Sequence, residues 1–273
     1  DEFKKDHGVD LKKDVQALNN VIASIVRNYG QNKNLRKLFI KTIVELTKNN
    51  NYWWINNVWY RGETILNDFS EHDFDLILKN LLMLPNIEYH AEEILIPIAE
   101  KYPKKIINFF QKRVLIKSKR KRNMDDRYDA VPFNFHKINE PLRKHEAIIL
   151  PLLLTWYSKG NSDNNWLFRW EASHLLEKIF PSFSPILEKS LVGMINSDQK
   201  GALEIAFSVL SKHEGQDFLW GVVAAIVDKY WKDKKYKKIE GNLFGYLSQT
   251  GVVSGEYGFA EALQAKKQQL QQF

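Results

Sequence analysis

Eight basic side chains fall within the seventeen residues 111–127, QKRVLIKSKRKRNMDDR: Lys112, Arg113, Lys117, Lys119, Arg120, Lys121, Arg122 and Arg127. Only Asp125 and Asp126 oppose them. Eight cations less two carboxylates leave a local net of +6 in a chain whose net charge is +7. Lysine and arginine at this density can neutralise phosphates and release counterions, which supplies sequence-independent affinity for nucleic acid. They can equally steer an acidic protein, or form a solvated surface loop. Lys119, Arg120, Lys121, Arg122 and Arg127 are the binding candidates of this stretch. A second basic segment, residues 229–238, sets six lysines against Asp233.

The other residues suited to recognition are aromatic. YWWINNVWY, residues 52–60, has five aromatic side chains in nine positions. As a helix it would fan them over about 200° at 3.6 residues per turn, wider than one buried face. Trp, Tyr and Arg are the usual hot spots of protein interfaces, so Trp53, Trp54, Trp59 and Tyr60, with Arg61 beside them, are candidate contacts. Core packing is the competing reading, because Trp and Tyr are well buried on average. Trp166, Arg169 and Trp170 repeat the same chemistry. Directly after the basic stretch, YDAVPFNFHKINEP (residues 128–141) is the longest piece that does not read as helix, and its Tyr128 and His136 suit a specific contact.

Catalytic patterns are scarce. No glycine precedes a lysine, so the chain has no phosphate-cradling Walker loop. Gly251, Gly255 and Gly258 lack dinucleotide-binding spacing, and Ser254 lacks the strand and spacing of a nucleophile elbow. Cysteine is absent, which removes thiolate zinc sites and cysteine nucleophiles and fits a reducing cytoplasm. None of the seven histidines forms an i, i+4 metal pair. His90 with Glu93 could place two ligands on one helix face, and a solvated polar face is the simpler reading. The expectation is a non-catalytic protein with no cofactor.

These candidates must be positioned by helices. Leu11, Val15, Leu18, Ile22, Ile25 and Tyr29 alternate by four and three, the stripe of one buried helix face, and Gly30 stops it. Similar stripes run through 35–46, 74–82, 91–102, 106–114, 168–179, 187–194, 203–210, 219–230 and 236–247. Pro103 stands at a first helical turn. Residues 147–154 are apolar nearly all round, as in a helix at the middle of a stack. They are too few to cross a membrane, which takes about 20 apolar residues. No stretch alternates with a period of two. The fold class is all-α.

Helix ends echo one another: IVRNYG at 25–30, IAEKYP at 98–103, IVDKYW at 226–231, and more loosely LEKIFP at 176–181. Separations of 73 and 128 residues correspond to two and three units of about 36–43 residues, in the range of helical-hairpin repeats. Such a unit buries its stripe only by stacking on neighbours. IPIAEKYPKKIINFF resembles a HEAT repeat, in which an apolar helix ends just before a proline that starts its partner. RYDAVPFNFH, the IAEKYPKKIINFF phrase and VVSGEYGFAEAL look like parts of the C-terminal helical-repeat region of large bacterial STAND-type antiphage NTPases. That resemblance implies a sensor that binds a foreign protein, with nucleotide hydrolysis and effector chemistry upstream.

The expected architecture is one α-solenoid of degenerate HEAT-like hairpins over residues 1–273, interrupted by an irregular basic insertion at about 115–142. An opening at Asp1 without methionine is read as the cut end of a longer protein. The expected function is target recognition in a bacterial antiviral defence protein, with a protein partner, possible nucleic-acid contact through the basic stretch, and no membrane. The alternative is a nucleic-acid-binding solenoid. Its enzymatic form would be an alkylpurine DNA glycosylase, with Asp228 near Trp220 and Trp231 supplying the residue types.

Overall fold

The computed structural model describes residues 11–61, 63–120, 128–159, 166–181, 184–199, 201–210 and 219–230. Among them are thirteen α-helices and no strand. Lys121, Arg122, Arg127, the helix expected over 236–247, the glycine-rich 251–258 and the side chain of Arg61 lie outside the described residues. So does the basic segment beyond Tyr230.

Two compact units divide the chain at His145 and Glu146. The first contains α1 (Leu11–Asn28), α2 (Leu35–Lys48), α3 (Trp54–Arg61), α4 (Glu63–Asn67), α5 (Glu71–Leu81), α6 (Tyr89–Lys101), α7 (Pro103–Lys119) and α8 (Asn139–Arg143). Within it α1 packs on α2 and α3, α3 on α6, and α6 on α7 and α8. On the other side α2 packs on α5, and α5 on α7. Two rows result, α1–α3–α6 and α2–α5–α7, with the apolar stripes facing inward. Ile22, Phe39, Phe74, Ile98 and Phe110 are fully buried between them. Each such side chain contributes about 1.5–3 kcal/mol relative to exposure.

The second unit contains α9 (Glu146–Lys159), α10 (Trp166–Ile179), α11 (Pro185–Asn196), α12 (Ala202–Leu210) and α13 (Leu219–Tyr230). Here α9 packs on α10 and α11, α11 on α12 and α13, and α12 on α13. Ser184 caps α11, its hydroxyl accepting from the Leu187 amide at 3.1 Å. It also donates to Glu146 at the start of α9.

A spacing of about 34 residues ties successive helices together in both units. His90 meets Asn56, 34 residues back, and Lys105 meets Glu71, also 34 back. Arg169 donates to the carbonyl of Glu204, and Ser173 meets Ser208, each pair 35 apart. The echoing phrases take part. Lys101 of IAEKYP donates to the carbonyl of Asn67, the last residue of α4, at 3.3 Å. Lys229 of IVDKYW donates to Ile195 at 2.5 Å and to Asn196, the last residue of α11, at 2.9 Å. Both lysines reach 34 residues back. Terminal carbonyls of a helix have no intrahelical partner, and a cation there also complements the helix dipole. In these two phrases the echo is therefore a capping device, and its 34-residue reach is shorter than the unit of 36–43 residues expected from the phrase separations.

The irregular segment also differs in extent. Helix α7 continues through Lys119, so the break starts about one turn later than the expected 115, and α8 falls inside it.

Candidate functional site

Helix α3 is shorter than the aromatic run that encodes it. The side chain of Asn51 accepts the amide N–H of Trp53 at 2.9 Å. Such a local turn offers the backbone an alternative to helix. The helix therefore begins at Trp54 and leaves Tyr52 and Trp53 before it. The expected fan of five rings is split. Trp54 is fully buried and is a core residue rather than a contact. Trp53, Trp59 and Tyr60 are exposed, at 59%, 39% and 69%.

Trp59 lies at the start of an aromatic ridge that sequence proximity does not reveal. Its ring stacks on His90 with centroids 4.0 Å apart and planes 22° apart. Tyr89 meets the Trp59 ring edge-on at 5.9 Å, and Tyr60 adjoins it at 6.1 Å. His90 is oriented by a 2.6 Å hydrogen bond from Nδ1 to the Asn56 side-chain oxygen. Tyr89 in turn meets His136 edge-on at 5.3 Å. Residues 59–60, 89–90 and 136 are thereby brought into one continuous surface, and Phe133, three residues from His136, is 75% exposed. Aromatic pairs of this kind contribute about 0.5–1.5 kcal/mol beyond burial, which favours holding these rings against one another.

The chain 128–138 is fastened from two sides. Glu92, buried on α6, accepts three successive amide N–H groups: His136 at 2.9 and 3.0 Å, Lys137 at 2.5 Å and Ile138 at 2.8 Å. It thereby satisfies the donors that lead into α8. Phe135 packs against Phe110 at 6.0 Å, so the FNF phrase alternates one ring outward and one inward. Glu93 pairs with Lys137 at 2.8 Å, which holds the lysine above its ordinary pKa. His90 and Glu93 thus serve separate partners rather than one metal. No group of three or more His, Cys, Asp or Glu side chains that could hold a metal ion occurs among the described residues.

At the other end stands Arg113. It is fully buried and donates to six backbone carbonyls. Nη1 reaches Leu81 at 3.0 Å, Leu82 at 3.0 Å and Leu84 at 2.7 Å, Nη2 reaches Pro85 at 3.2 Å and Asp129 at 2.5 Å, and Nε reaches Ala130 at 3.1 Å. The C-terminal carbonyls of α5 and the start of the irregular segment thus share one guanidinium. Burial pushes Arg113 down to about 10, which leaves it a full cation at neutral pH.

The described part of the basic stretch, residues 111–120, is consequently less free than its charge suggests. Tyr128 is buried, donates its hydroxyl to Leu82 at 2.5 Å, and carries both the Arg113 and Arg120 guanidinium groups over its ring at 4.5 and 4.2 Å. Tyr128 and Arg120 therefore brace the segment instead of presenting it. Lys117 faces Asp129 at 3.7 Å. Lys119 is exposed. In the second unit, Trp166 and Trp170 are exposed at 54% and 64% on α10. No described helix is long and apolar enough to cross a membrane.

Tyr89 and His90 are the ridge residues that sequence reasoning did not assign. The signal that locates them is the 34-residue spacing, which sets His90 beside Asn56 and hence beside Trp59. Comparison with known protein families, with curated proteins and with solved structures finds no match to this chain.

Proposed function

We propose that this chain is a solenoid of HEAT-like helical hairpins that recognises a protein partner through the Trp59–His90–Tyr89–His136 ridge. In this reading it is the target-sensing region of a bacterial antiviral defence protein of the STAND NTPase type. The 34-residue spacing of contacts within each unit supports the repeat architecture, since hairpin repeats contact only their neighbours. The observation that carries recognition is the convergence of three separate segments on one surface, where Trp59, Tyr60 and His136 are exposed and Tyr89 and His90 half-buried. A large exposed aromatic patch marks an interaction site more often than scattered apolar residues do, and tryptophan and tyrosine anchor interfaces. The described part of the basic stretch favours this over nucleic acid, because Arg113, Lys117 and Arg120 are engaged within the protein.

The test uses the immobilised chain in a lysate of phage-infected bacteria, with Trp59→Ala/Tyr60→Ala alongside. Hot-spot truncations cost about 2 kcal/mol or more, so the double variant should retain roughly a thirtieth of the specific capture or less. Equal capture by both forms would remove the ridge from recognition. Affinity of the purified chain for DNA or RNA that falls steeply with salt would instead favour the nucleic-acid reading.

A further inference from the structure

Beside Tyr60, between α1 and α3, lies an open pocket lined by Ala23, Val26, Arg27, Asn57 and Tyr60. Its volume of about 200 Å³ falls below the roughly 300–1,000 Å³ of small-molecule sites. It has room for a side chain rather than a cofactor. The lining combines two small apolar side chains, an aromatic wall, an amide and a guanidinium, and contains no acidic residue. Arg27 is exposed, and neither Arg27 nor the Asn57 side chain makes a hydrogen bond or ion pair with another described residue.

We infer that this pocket takes a carboxylate side chain, and that the partner engages the ridge through an acidic segment whose aspartate or glutamate lies next to an apolar residue. The inference rests on the recognition reading and adds the partner's chemistry to it. A guanidinium binds a carboxylate through two parallel N–H···O bonds, and the Asn57 amide can donate a further one. Val26 and the Tyr60 ring would cover the acid's methylene stem. The flanking apolar residue would then fall on Tyr60 and Trp59, whose rings adjoin at 6.1 Å. A phosphorylated segment fits less well, because readers of dianionic phosphate cluster several arginines and this pocket supplies one.

A displayed library of random short peptides, panned on the intact chain, provides the probe. The selected peptides should pair Asp or Glu with an adjacent aromatic or aliphatic residue. A synthetic peptide from the pool should lose about tenfold or more in affinity on Arg27→Gln or when its own acid becomes the amide, and the two changes together should cost little more than either alone. Trp59→Ala should weaken acid and amide peptides by the same factor. Arg27 is exposed, so an unchanged thermal midpoint will show that the variant folds. Peptides that bind, need Trp59 and show no preference for an acid or for Arg27 would overturn the inference and leave the ridge reading standing. A pool that binds Trp59→Ala/Tyr60→Ala as well as the parent would overturn both.

Discussion

Arg113→Met should destabilise the first helical unit by about 3–5 kcal/mol, because hydrogen bonds to a charged group contribute about 1.5–3 kcal/mol each and the desolvation of a buried cation offsets part of that gain. Methionine replaces much of the side-chain volume, so the loss is chiefly polar. Six carbonyls lose a guanidinium donor: those of Leu81, Leu82 and Pro85 keep a second one, from the Leu84 amide, the Tyr128 hydroxyl and the Asp129 amide, whereas those of Leu84, Asp129 and Ala130 lose the donor described for them. Buried polar groups left unsatisfied cost about 1–3 kcal/mol each. Arg113→Lys should fall between, because a point-like ammonium cannot span carbonyls on both sides of the fork. Circular-dichroism melting should show the methionine variant lower by roughly 10 °C, taking about 2–4 °C per kcal/mol for a protein of this size. A midpoint within a degree or two of the parent would contradict the hub role.

Glu92→Gln carries the second large effect. The carboxylate accepts four contacts from three consecutive amides, and a neutral amide replaces one acceptor oxygen with a donor facing donors. Charge-assisted bonds of this type contribute about 1.5–3 kcal/mol, so a loss of about 2–4 kcal/mol is expected. It should be local. The amides of His136, Lys137 and Ile138 should exchange with solvent about tenfold faster or more, which corresponds to local opening made easier by over 1.4 kcal/mol. Those of α1 and α2 should change little. Because His136 reaches Tyr89 only from this turn, the variant should also weaken partner capture. Unchanged exchange at residues 136–138 would show that the turn is positioned by Phe135 and Ile138 packing alone.

Most of the fold is legible in the sequence because helix burial is periodic. Ile22, Ile25 and Tyr29 on α1, or Leu175 and Ile179 on α10, recur at three and four residues and are buried as that spacing requires. The site is less legible, for two physical reasons. Charge counting is blind to burial: Arg113 reads as one cation among eight, yet it stands three residues after Phe110 and seven after Ile106, on the buried stripe. Aromatic counting is blind to turns: Asn51 stops the helix from starting at Tyr52, which sends Trp54 inward and leaves Trp53 outside the helix. Tyr89 goes unassigned, and His90 is weighed only as a ligand beside Glu93, because the Trp59 ring that both meet lies about a repeat away in sequence. Of the alternative glycosylase constellation, Asp228 is exposed beside Lys229, which caps α11, and Trp231 lies outside the described residues.

In the proposed function, recognition runs through the ridge and not through the basic stretch. Site-specific photo-crosslinking tests it most directly, with p-benzoylphenylalanine placed at Tyr60, at His136 and, for the basic stretch, at Leu115, all exposed positions. After irradiation in a lysate of phage-infected bacteria, positions 60 and 136 should yield the same infection-dependent protein adduct, with little or none from position 115. An adduct from 115 that equals or exceeds those from 60 and 136, or no adduct from either ridge position, would contradict recognition through the ridge.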